Sequence, residues 1–425
     1  MLITLFRVEI GILFFITSVP IIALMKKVAE FPGGHNFADF LLIAIIIGWL
    51  INAVRENRKI FISSPINRIV ILMAVGSFIN LIRGYTFMSF SDEINLERLI
   101  TWKNYMLLPV IYFVAANNVK TEKVIKLLIL LLLFTLLATD FNFYSTFKWL
   151  KSFHYSDDMR TAGVFSFLGP NEMGVFYCMN TFMLLGIAYF IENKMLRYFI
   201  LFVCVVNFYP IVYSYSRAAY SAALVGFVTL GLLKDRRLLV IPVVLVLFYS
   251  IILPNSVVER IDMTFLEKNQ VSEAELERSG VDVGGTTIIA TGRKVIWDRA
   301  MEYFEKNPFL GIGFDSFRHD YGWITHSLYY KILAEQGLLG VLINLIFYSV
   351  LLQQSYRLFR NSQTNLGKGI GLGFLSSIIV HLAGSISGDQ SLYYNLMAIF
   401  WFFMGMVARY NAELVVASPQ QEKLT

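Results

Sequence analysis

The sequence predicts an all-α polytopic membrane protein with about twelve transmembrane helices and one large outward-facing loop domain. Hydrophobic residues make up 56% of the 425 residues and charged residues only 16%, and the mean hydropathy is +0.61. A soluble domain carries roughly 25% charged residues. Several apolar runs also reach the roughly 20 residues that a helix needs to cross a bilayer. These observations exclude an ordinary soluble domain.

Twelve apolar segments are the predicted spans. The first nine lie within residues 1–253, and the last three lie within 326–425, which ends in a polar tail. The first segment lacks a basic start and a small-residue cleavage site, which indicates a membrane span rather than a signal peptide. The segments are 5–25, 37–54, 65–82, 103–117, 123–141, 171–191, 196–213, 217–233, 237–253, 326–354, 368–387 and 391–409.

Basic residues set the predicted orientation. Lys and Arg are concentrated in every second short connection, such as "RENRK" at 55–59 and "KDRR" at 234–237. Because short basic loops stay in the cytoplasm, we expect both termini there and the other connections on the outer side. The net charge of +6 has the same explanation, so it does not indicate nucleic-acid binding.

Two of the outward connections are long, one near 142–170 and the other at 254–325. In the second, "TGRKVIWDRAMEYFEKNP" repeats apolar residues at helical spacing. Thr291 is a candidate N-cap, and Asn307-Pro308 would stop the helix. The Gly- and aromatic-rich segment "FLGIGFDSFRHDYGW" then returns the chain to the membrane. We therefore expect a folded outward domain at 254–325.

Signatures of soluble enzymes and of metal sites are missing from the sequence. It has no P-loop, no G-x-S-x-G, no dinucleotide fingerprint and no zinc-type His/Cys cluster. The two cysteines, Cys178 and Cys204, both lie in apolar runs, which predicts neither a disulfide framework nor a metal site. The informative residues are instead charged groups at the outward ends of the spans.

Three arginines are candidate ligands for a phosphate group, because a planar fork of donors suits one. Arg217 lies between two apolar runs, and on a helix Ser214 and Ser221 would flank it. It either snorkels to the membrane interface or serves a site. Arg293 heads the predicted loop helix, and Arg160 precedes a Gly-Pro turn in the other long loop. Each of these two is either a site residue or an ordinary solvated charge.

His326 follows Thr325, a candidate cap, in "WITHSLYYKILAEQGLLG". It is either a structural histidine at the membrane interface or a base, since a neutral imidazole can accept a proton from a sugar hydroxyl near pH 7. Asp389 in the last outward turn would orient the histidine or an arginine, or be solvated. Arg318 is either a substrate contact or part of the polarity that any loop needs.

Four segments in chain order resemble the shared core of the O-antigen ligase and O-antigen polymerase superfamily, over roughly 155–345. They are "RTAGVFSFLGPNEMG", "SYSRAAYSAALVG", "TGRKVIWDRAMEYFEKNPFLGIGFDSF" and "THSLYYKILAEQGLLG".

The resemblance implies a GT-C-like membrane glycosyltransferase at the periplasmic face of the bacterial inner membrane. Its donor would be an undecaprenyl-pyrophosphate-linked glycan, transferred to a sugar hydroxyl with inversion and without a metal or other cofactor. Arg217 and Arg293 match family positions that hold the pyrophosphate, and His326 matches the position of the base. The family commonly has His-Asn where this chain has His326-Ser327, which we interpret as a subfamily difference.

We therefore predict an O-antigen ligase of lipopolysaccharide assembly, with lipid A-core as acceptor. The catalytic set would be His326, Arg217 and Arg293, with Arg160, Arg318 and Asp389 as further substrate contacts. One alternative is an O-antigen or exopolysaccharide polymerase that uses a second lipid-linked repeat as acceptor. A membrane transporter is the less favoured alternative, because it would place charged residues near the bilayer midplane.

Overall fold

The computed structural model describes residues 2–22, 37–147, 153–166, 168–263, 280–283, 286–289 and 293–421. Within these ranges the chain is almost entirely helical. The elements are α1 Leu2–Phe6, α2 Val8–Ser18, α3 Phe37–Arg55, α4 Pro65–Phe87, α5 Asp92–Asn118, α6 Glu122–Thr146, α7 Pro170–Ala188, α8 Lys194–Tyr213, α9 Arg217–Leu233, α10 Val240–Ile252, α11 Asn255–Asp262, β1 Gly280–Val283, β2 Thr286–Ile289, α12 Arg293–Lys306, α13 Phe317–Tyr321, α14 Leu328–Asn361, α15 Asn365–Gly384 and α16 Tyr394–Gln421.

A helix occurs at each of the twelve segments predicted as spans. Among the described helices, six are long and apolar enough to cross a bilayer, namely α4, α5, α6, α8, α14 and α15. A seventh span results if α10, with the 3-10 turn Arg236–Leu239 before it, and α11 are counted together across their 112° bend. The chain is therefore a polytopic membrane protein.

Helix α5 is longer than its predicted span, 103–117. It begins at Asp92, and the hydroxyl of Ser91 caps it by accepting from the backbone N–H of Ile94. Two acidic residues in the first turn, Asp92 and Glu93, suit the positive end of the helix dipole. Hydropathy does not detect the first turns of α5, because residues that favour a helix N-terminus are polar.

Helix α15 lies at the centre of the bundle and packs against α7, α9 and α14. Its contact with α7 depends on small residues. A Cβ atom added to Gly186 would lie 2.4 Å from the Cα of Gly373, and one added to Gly373 would lie 2.2 Å from the carbonyl oxygen of Met183. The two backbones therefore touch, as they do at small-residue interfaces in membranes.

The loop after α12 supplies hydrogen-bond partners at a break in α14. Gly337 has a φ of 61°, which interrupts the helix. The N–H groups of Leu338 and Leu339 then donate to the carbonyl oxygens of Pro308 and Phe309, at 2.7 and 3.1 Å. In return, the loop's Ile312 and Gly313 donate to carbonyl oxygens of α14, each at 2.9 Å.

Arg98 of α5 holds the same loop from the other side. Its guanidinium is fully buried and donates to the carbonyl oxygen of Phe314 through Nε at 3.0 Å and Nη2 at 2.8 Å. The backbone N–H of Phe314 also donates to Asn80 of α4 at 2.9 Å. The segment that leads to His326 is thus fixed to α4, α5 and α14.

The outward domain predicted at 254–325 is described only in part. Helix α12 ends at Lys306, where Asn307-Pro308 predicted its end. Thr291, the predicted N-cap, lies outside the described residues. The sequence did not predict the antiparallel hairpin, in which Gly280 pairs with Ile289 and Val283 with Thr286.

Candidate active site

A cavity of about 520 Å³ opens where three helices begin. Pro170, Arg217 and Arg293 are the first residues of α7, α9 and α12, and all three line this first cavity. The free N–H groups at a helix start carry partial positive charge, so converging starts favour an anion.

Arginine side chains dominate the charge of the first cavity. Arg160, Arg217, Arg260 and Arg293 line it, against the two carboxylates Asp157 and Glu172. Guanidinium groups bind phosphate oxygens with two parallel hydrogen bonds. The first cavity therefore suits a ligand with several negative charges close together.

Neighbouring groups hold three of these arginines in place. Arg293 donates through Nη1 to the carbonyl oxygen of Ser387 at 3.1 Å and also contacts the hydroxyl of that residue. Arg160 donates through Nη2 to Asn171 at 3.1 Å. Arg260 donates through Nε to the carbonyl oxygen of Tyr215 at 3.4 Å and lies over an aromatic ring. Fixed donors of this kind need little reorganisation when a charge develops beside them.

Arg293 remains charged in spite of its burial. Burial lowers the pKa of Arg293 to about 10, and the positive charges of Arg160 and Arg260 add to this effect while Glu172 opposes it. Burial, followed by the charge of Arg260, lowers the pKa of Arg160. A pKa of about 10 still leaves Arg293 protonated at neutral pH.

Both serines that the sequence predicted beside Arg217 donate to the backbone. Since α9 begins at Arg217, Ser214 belongs to the turn before it, and its hydroxyl donates to the backbone of α8. The hydroxyl of Ser221 donates to the backbone of α9. Ser216 is the N-cap, accepting from the N–H of Ala219 at 3.2 Å. Arg217 therefore starts a helix and does not interrupt a span.

An apolar groove of about 610 Å³ leads away from Arg217. Its walls come from α8, α9, α10 and α11, and Arg217 also lines the first cavity. The groove residues include Phe208, Val212, Phe227, Leu245, Leu253 and Ile261. A ligand with a charged head and a long apolar chain would fit the first cavity and the groove together.

His326 lines the first cavity, in a backbone conformation that is uncommon for residues other than glycine. Its φ is 51°, in the left-handed region. The Nδ1 atom is buried and has no hydrogen-bond partner among the described residues. Ser327, rather than Thr325, is the N-cap of α14, and the Thr325 hydroxyl donates to its carbonyl oxygen at 3.0 Å. Strained residues of this kind are concentrated at functional sites.

The surroundings of His326 keep its ring neutral. Burial lowers its pKa to about 4, the positive charge of Arg293 lowers it further, and Asp389 acts in the opposite direction. At neutral pH the imidazole can therefore accept a proton.

Two of the predicted substrate contacts do not line the first cavity. Asp389 forms a buried ion pair with Lys331, with 2.9 Å between Oδ2 and Nζ. Lys331 has Glu335 one helical turn away, but its ion pair is with Asp389. Arg318 forms an ion pair with Asp315 at 2.8 Å.

Arg318 lines a second cavity, of about 290 Å³. Thr101 and Asn104 of α5 contribute to it, as does Lys331 of α14. The other lining residues of this second cavity are Asp315, Ile324, Leu392, Tyr393, Tyr394 and Asn395.

The first cavity also contains residues that the sequence did not single out. Arg260, 8% exposed, comes from α11, and Glu172, 4% exposed, comes from the first turn of α7. The segment "NSVVERID" after Pro254 has the pattern of a short amphipathic helix. This pattern was the only feature of the sequence that could have pointed to Arg260. Only the tertiary fold shows which side of that helix is buried.

Part of the chain matches a known family. Residues 202–345 match the family model described as "O-Antigen ligase". The matched segment contains Arg217, Arg260, Arg293 and His326, whereas Arg160 and Asp389 lie outside it. No curated protein matches the chain.

Proposed function

We propose that this chain is an O-antigen ligase of the O-antigen ligase and O-antigen polymerase superfamily, because residues 202–345 match the O-antigen ligase family model. The family implies a glycosyl-transferring enzyme that uses lipid-linked glycans in a membrane. In our proposal the donor is an undecaprenyl-pyrophosphate-linked glycan and the acceptor is a hydroxyl of lipid A-core.

One observation carries the proposal, namely that four arginines and His326 line the same cavity. A glycosyl pyrophosphate develops negative charge on its leaving oxygen as the glycosidic bond breaks. Buried, fixed guanidinium groups stabilise that charge more strongly than water does. Arg160, Arg217, Arg260 and Arg293 would hold the pyrophosphate, and the groove beyond Arg217 would take the polyprenyl chain.

His326 is the proposed base. The acceptor oxygen would attack the anomeric carbon from the face opposite the pyrophosphate, which inverts the configuration. The hydroxyl proton would pass to the neutral ring of His326, and the bonding electrons would leave with the pyrophosphate. A positioned base of this kind contributes roughly 10²- to 10⁴-fold in rate.

The membrane topology is part of the proposal. Basic residues in alternate connections support twelve crossings with both termini in the cytoplasm of the bacterial inner membrane. The first cavity would then face the periplasm. A GT-C-like arrangement agrees with this topology.

Reconstitution tests the proposal. The purified chain would be placed in vesicles with an undecaprenyl-pyrophosphate glycan and either lipid A-core or a second lipid-linked glycan as acceptor. We expect glycan-capped lipid A-core, and its loss in Arg217→Ala, Arg293→Ala and His326→Ala. Arg357→Ala, at an exposed site on α14, is the matched control and should remain active.

The other outcomes are equally informative. A ladder of lipid-linked products would identify a polymerase, which uses the same chemistry on a different acceptor. Transfer to neither acceptor would contradict the proposed function. Full activity in His326→Ala would remove that residue from the mechanism.

A further inference from the structure

We infer that the second cavity binds the acceptor sugar, an inference that rests on the proposed function. Residues of three separate regions line this cavity, including Asn104 of α5, Arg318 of α13 and Asn395 of α16. The second cavity is distinct from the first cavity, which contains His326 and four arginines.

The chain segment that carries His326 lies between the two cavities. Trp323 and His326 line the first cavity, whereas Ile324 lines the second. Lys331 also lines the second cavity, and its partner Asp389 lies near enough to His326 to act on its charge. A sugar hydroxyl that extends past this segment from the second cavity would meet the base.

The charges in the second cavity offset one another. Arg318 is paired with Asp315 at 2.8 Å, and Lys331 is paired with Asp389 at 2.9 Å. The first cavity, in contrast, has twice as many arginines as carboxylates. Balanced charges do not select a pyrophosphate. They leave a set of donors and acceptors that suits a ligand rich in hydroxyl groups.

Two polar atoms of the second cavity lack partners in the described part of the chain. Asn395 is only 9% exposed, and its Oδ1 atom accepts no hydrogen bond. The buried Nε of Arg318 donates none. Buried polar atoms nearly always have a partner. A hydroxyl group both donates and accepts, so one sugar ring could satisfy the two atoms.

The size of the second cavity agrees with such a ligand. Its volume of about 290 Å³ is several times the roughly 30 Å³ that one water molecule occupies. The rings of Tyr393 and Tyr394 add an apolar surface against which a sugar face can pack.

Steady-state kinetics with both substrates varied would test the inference. Asn395→Leu removes both polar amide atoms at similar volume, and Asn104→Ala truncates a less buried side chain of the same cavity. The acceptor probes are lipid A-core and a second lipid-linked glycan. Asn361→Leu, exposed at the far end of α14, is the matched control.

We expect the KM for the active acceptor to rise about tenfold in both cavity variants, as the loss of a hydrogen bond predicts. The KM for the donor should stay within about twofold of the wild-type value, which also shows that the variants are folded. If Asn395→Leu proves misfolded, the acceptor KM of Asn104→Ala alone tests whether the second cavity binds the acceptor.

Three results distinguish a failure of this inference from a failure of the proposed function. An unchanged acceptor KM in Asn104→Ala, with active wild type, would overturn the inference and leave the proposed function intact. A rise in the donor KM alone would also overturn the inference and leave the proposed function intact. Wild-type protein that transfers to neither probe would contradict the proposed function and this inference with it.

Discussion

Trp297 of α12 stacks on Tyr330 of α14, with ring centroids 4.9 Å apart and ring planes only 8° from parallel. The indole N–H of Trp297 also donates to the carbonyl oxygen of Thr325 at 3.0 Å. Because Thr325 precedes His326, one side chain fixes the loop helix both to α14 and to the backbone of the proposed base. The helix that supplies Arg293 is thereby held in register with His326.

Replacing Trp297 by Phe should therefore lower kcat more than it changes KM. Phe keeps a stacked ring but loses the hydrogen bond to Thr325, so the base is less well placed. We expect a fall in kcat of about tenfold, since small misplacements of reacting groups are costly. Steady-state kinetics would measure it, with the donor KM as the internal reference.

Trp102→Phe is the matched control for that variant. Its indole N–H donates to the hydroxyl of Ser77 at 3.1 Å, within the bundle. Both variants lose one hydrogen bond that an indole N–H donates to an oxygen, so their thermal stabilities should fall by similar amounts. Equal kcat values in the two variants would show that Trp297 has no positioning role.

The helices were predictable because hydropathy and turn signals are local properties of the chain. A helix occurs at every predicted span, and Asn307-Pro308 ends α12 as expected. The candidate site was predictable only in part. Arg160, Arg217, Arg293 and His326 line one cavity. The sequence indicated Arg217 and His326 by their positions beside apolar runs, Arg293 as the head of the loop helix and Arg160 by its place before a Gly-Pro turn.

The remaining features depend on contacts between distant segments. Lys331 has Glu335 one turn away in sequence, yet its ammonium group pairs with Asp389, 58 residues later. Glu335 instead accepts from the backbone N–H of Asp315 at 2.9 Å. Arg260 is likewise an ordinary charge on a short helix until the fold turns it into the first cavity. Sequence spacing cannot supply such partners.

The pH dependence of activity should show that His326 is neutral well below the usual range. Its pKa is lowered to about 4, mainly by burial and next by Arg293. The ring accepts a proton only when neutral, so kcat/KM should fall as the pH drops through about 4 rather than through the ordinary value of 6.5. The pH profile of kcat/KM measures this in the free enzyme.

Two charge variants should move that acidic limb in opposite directions. Arg293→Gln removes a positive charge that disfavours protonation, so the limb should shift to higher pH even though total activity is lower. Asp389→Asn removes a negative charge that favours protonation, so the limb should shift to lower pH. An acidic limb near 6.5 in the wild type would contradict the lowered pKa of His326, and a limb that neither variant moves would contradict its role as base.

Arg260→Gln should weaken donor binding, although the sequence alone did not indicate this residue. The change removes one of the four guanidinium groups of the first cavity and leaves a shorter, uncharged polar side chain. Hydrogen bonds to charged groups are worth about 1.5–3 kcal/mol, which corresponds to a rise in donor KM of roughly 10- to 150-fold. Inorganic pyrophosphate should also become a weaker inhibitor by a similar factor.

Arg260→Lys tests whether the guanidinium shape or only the charge is needed, and Arg236→Gln is the control for loss of an exposed arginine. Lys keeps the charge but not the planar fork, so its donor KM should lie between those of the wild type and Arg260→Gln. Arg236 is exposed in the turn before α10, and its replacement by Gln should leave the donor KM unchanged. A normal donor KM in Arg260→Gln would exclude Arg260 from the pyrophosphate site.

Gly337→Ala should destabilise the protein more than the conformational cost of its backbone alone. Gly337 has a φ of 61°, and an added Cβ would lie 2.6 Å from the carbonyl carbon of Phe309. Gly322 has a φ of 83°, but an added Cβ there has nothing within 4 Å. Gly322→Ala therefore costs only the left-handed conformation, about 1–2 kcal/mol. Gly337→Ala adds a clash that pushes the loop 308–313 away from the broken helix, and its thermal midpoint in detergent should fall clearly further. Equal midpoints for the two variants would mean that this loop can move away from Gly337 at little cost, so that it does not hold α14 together at its break.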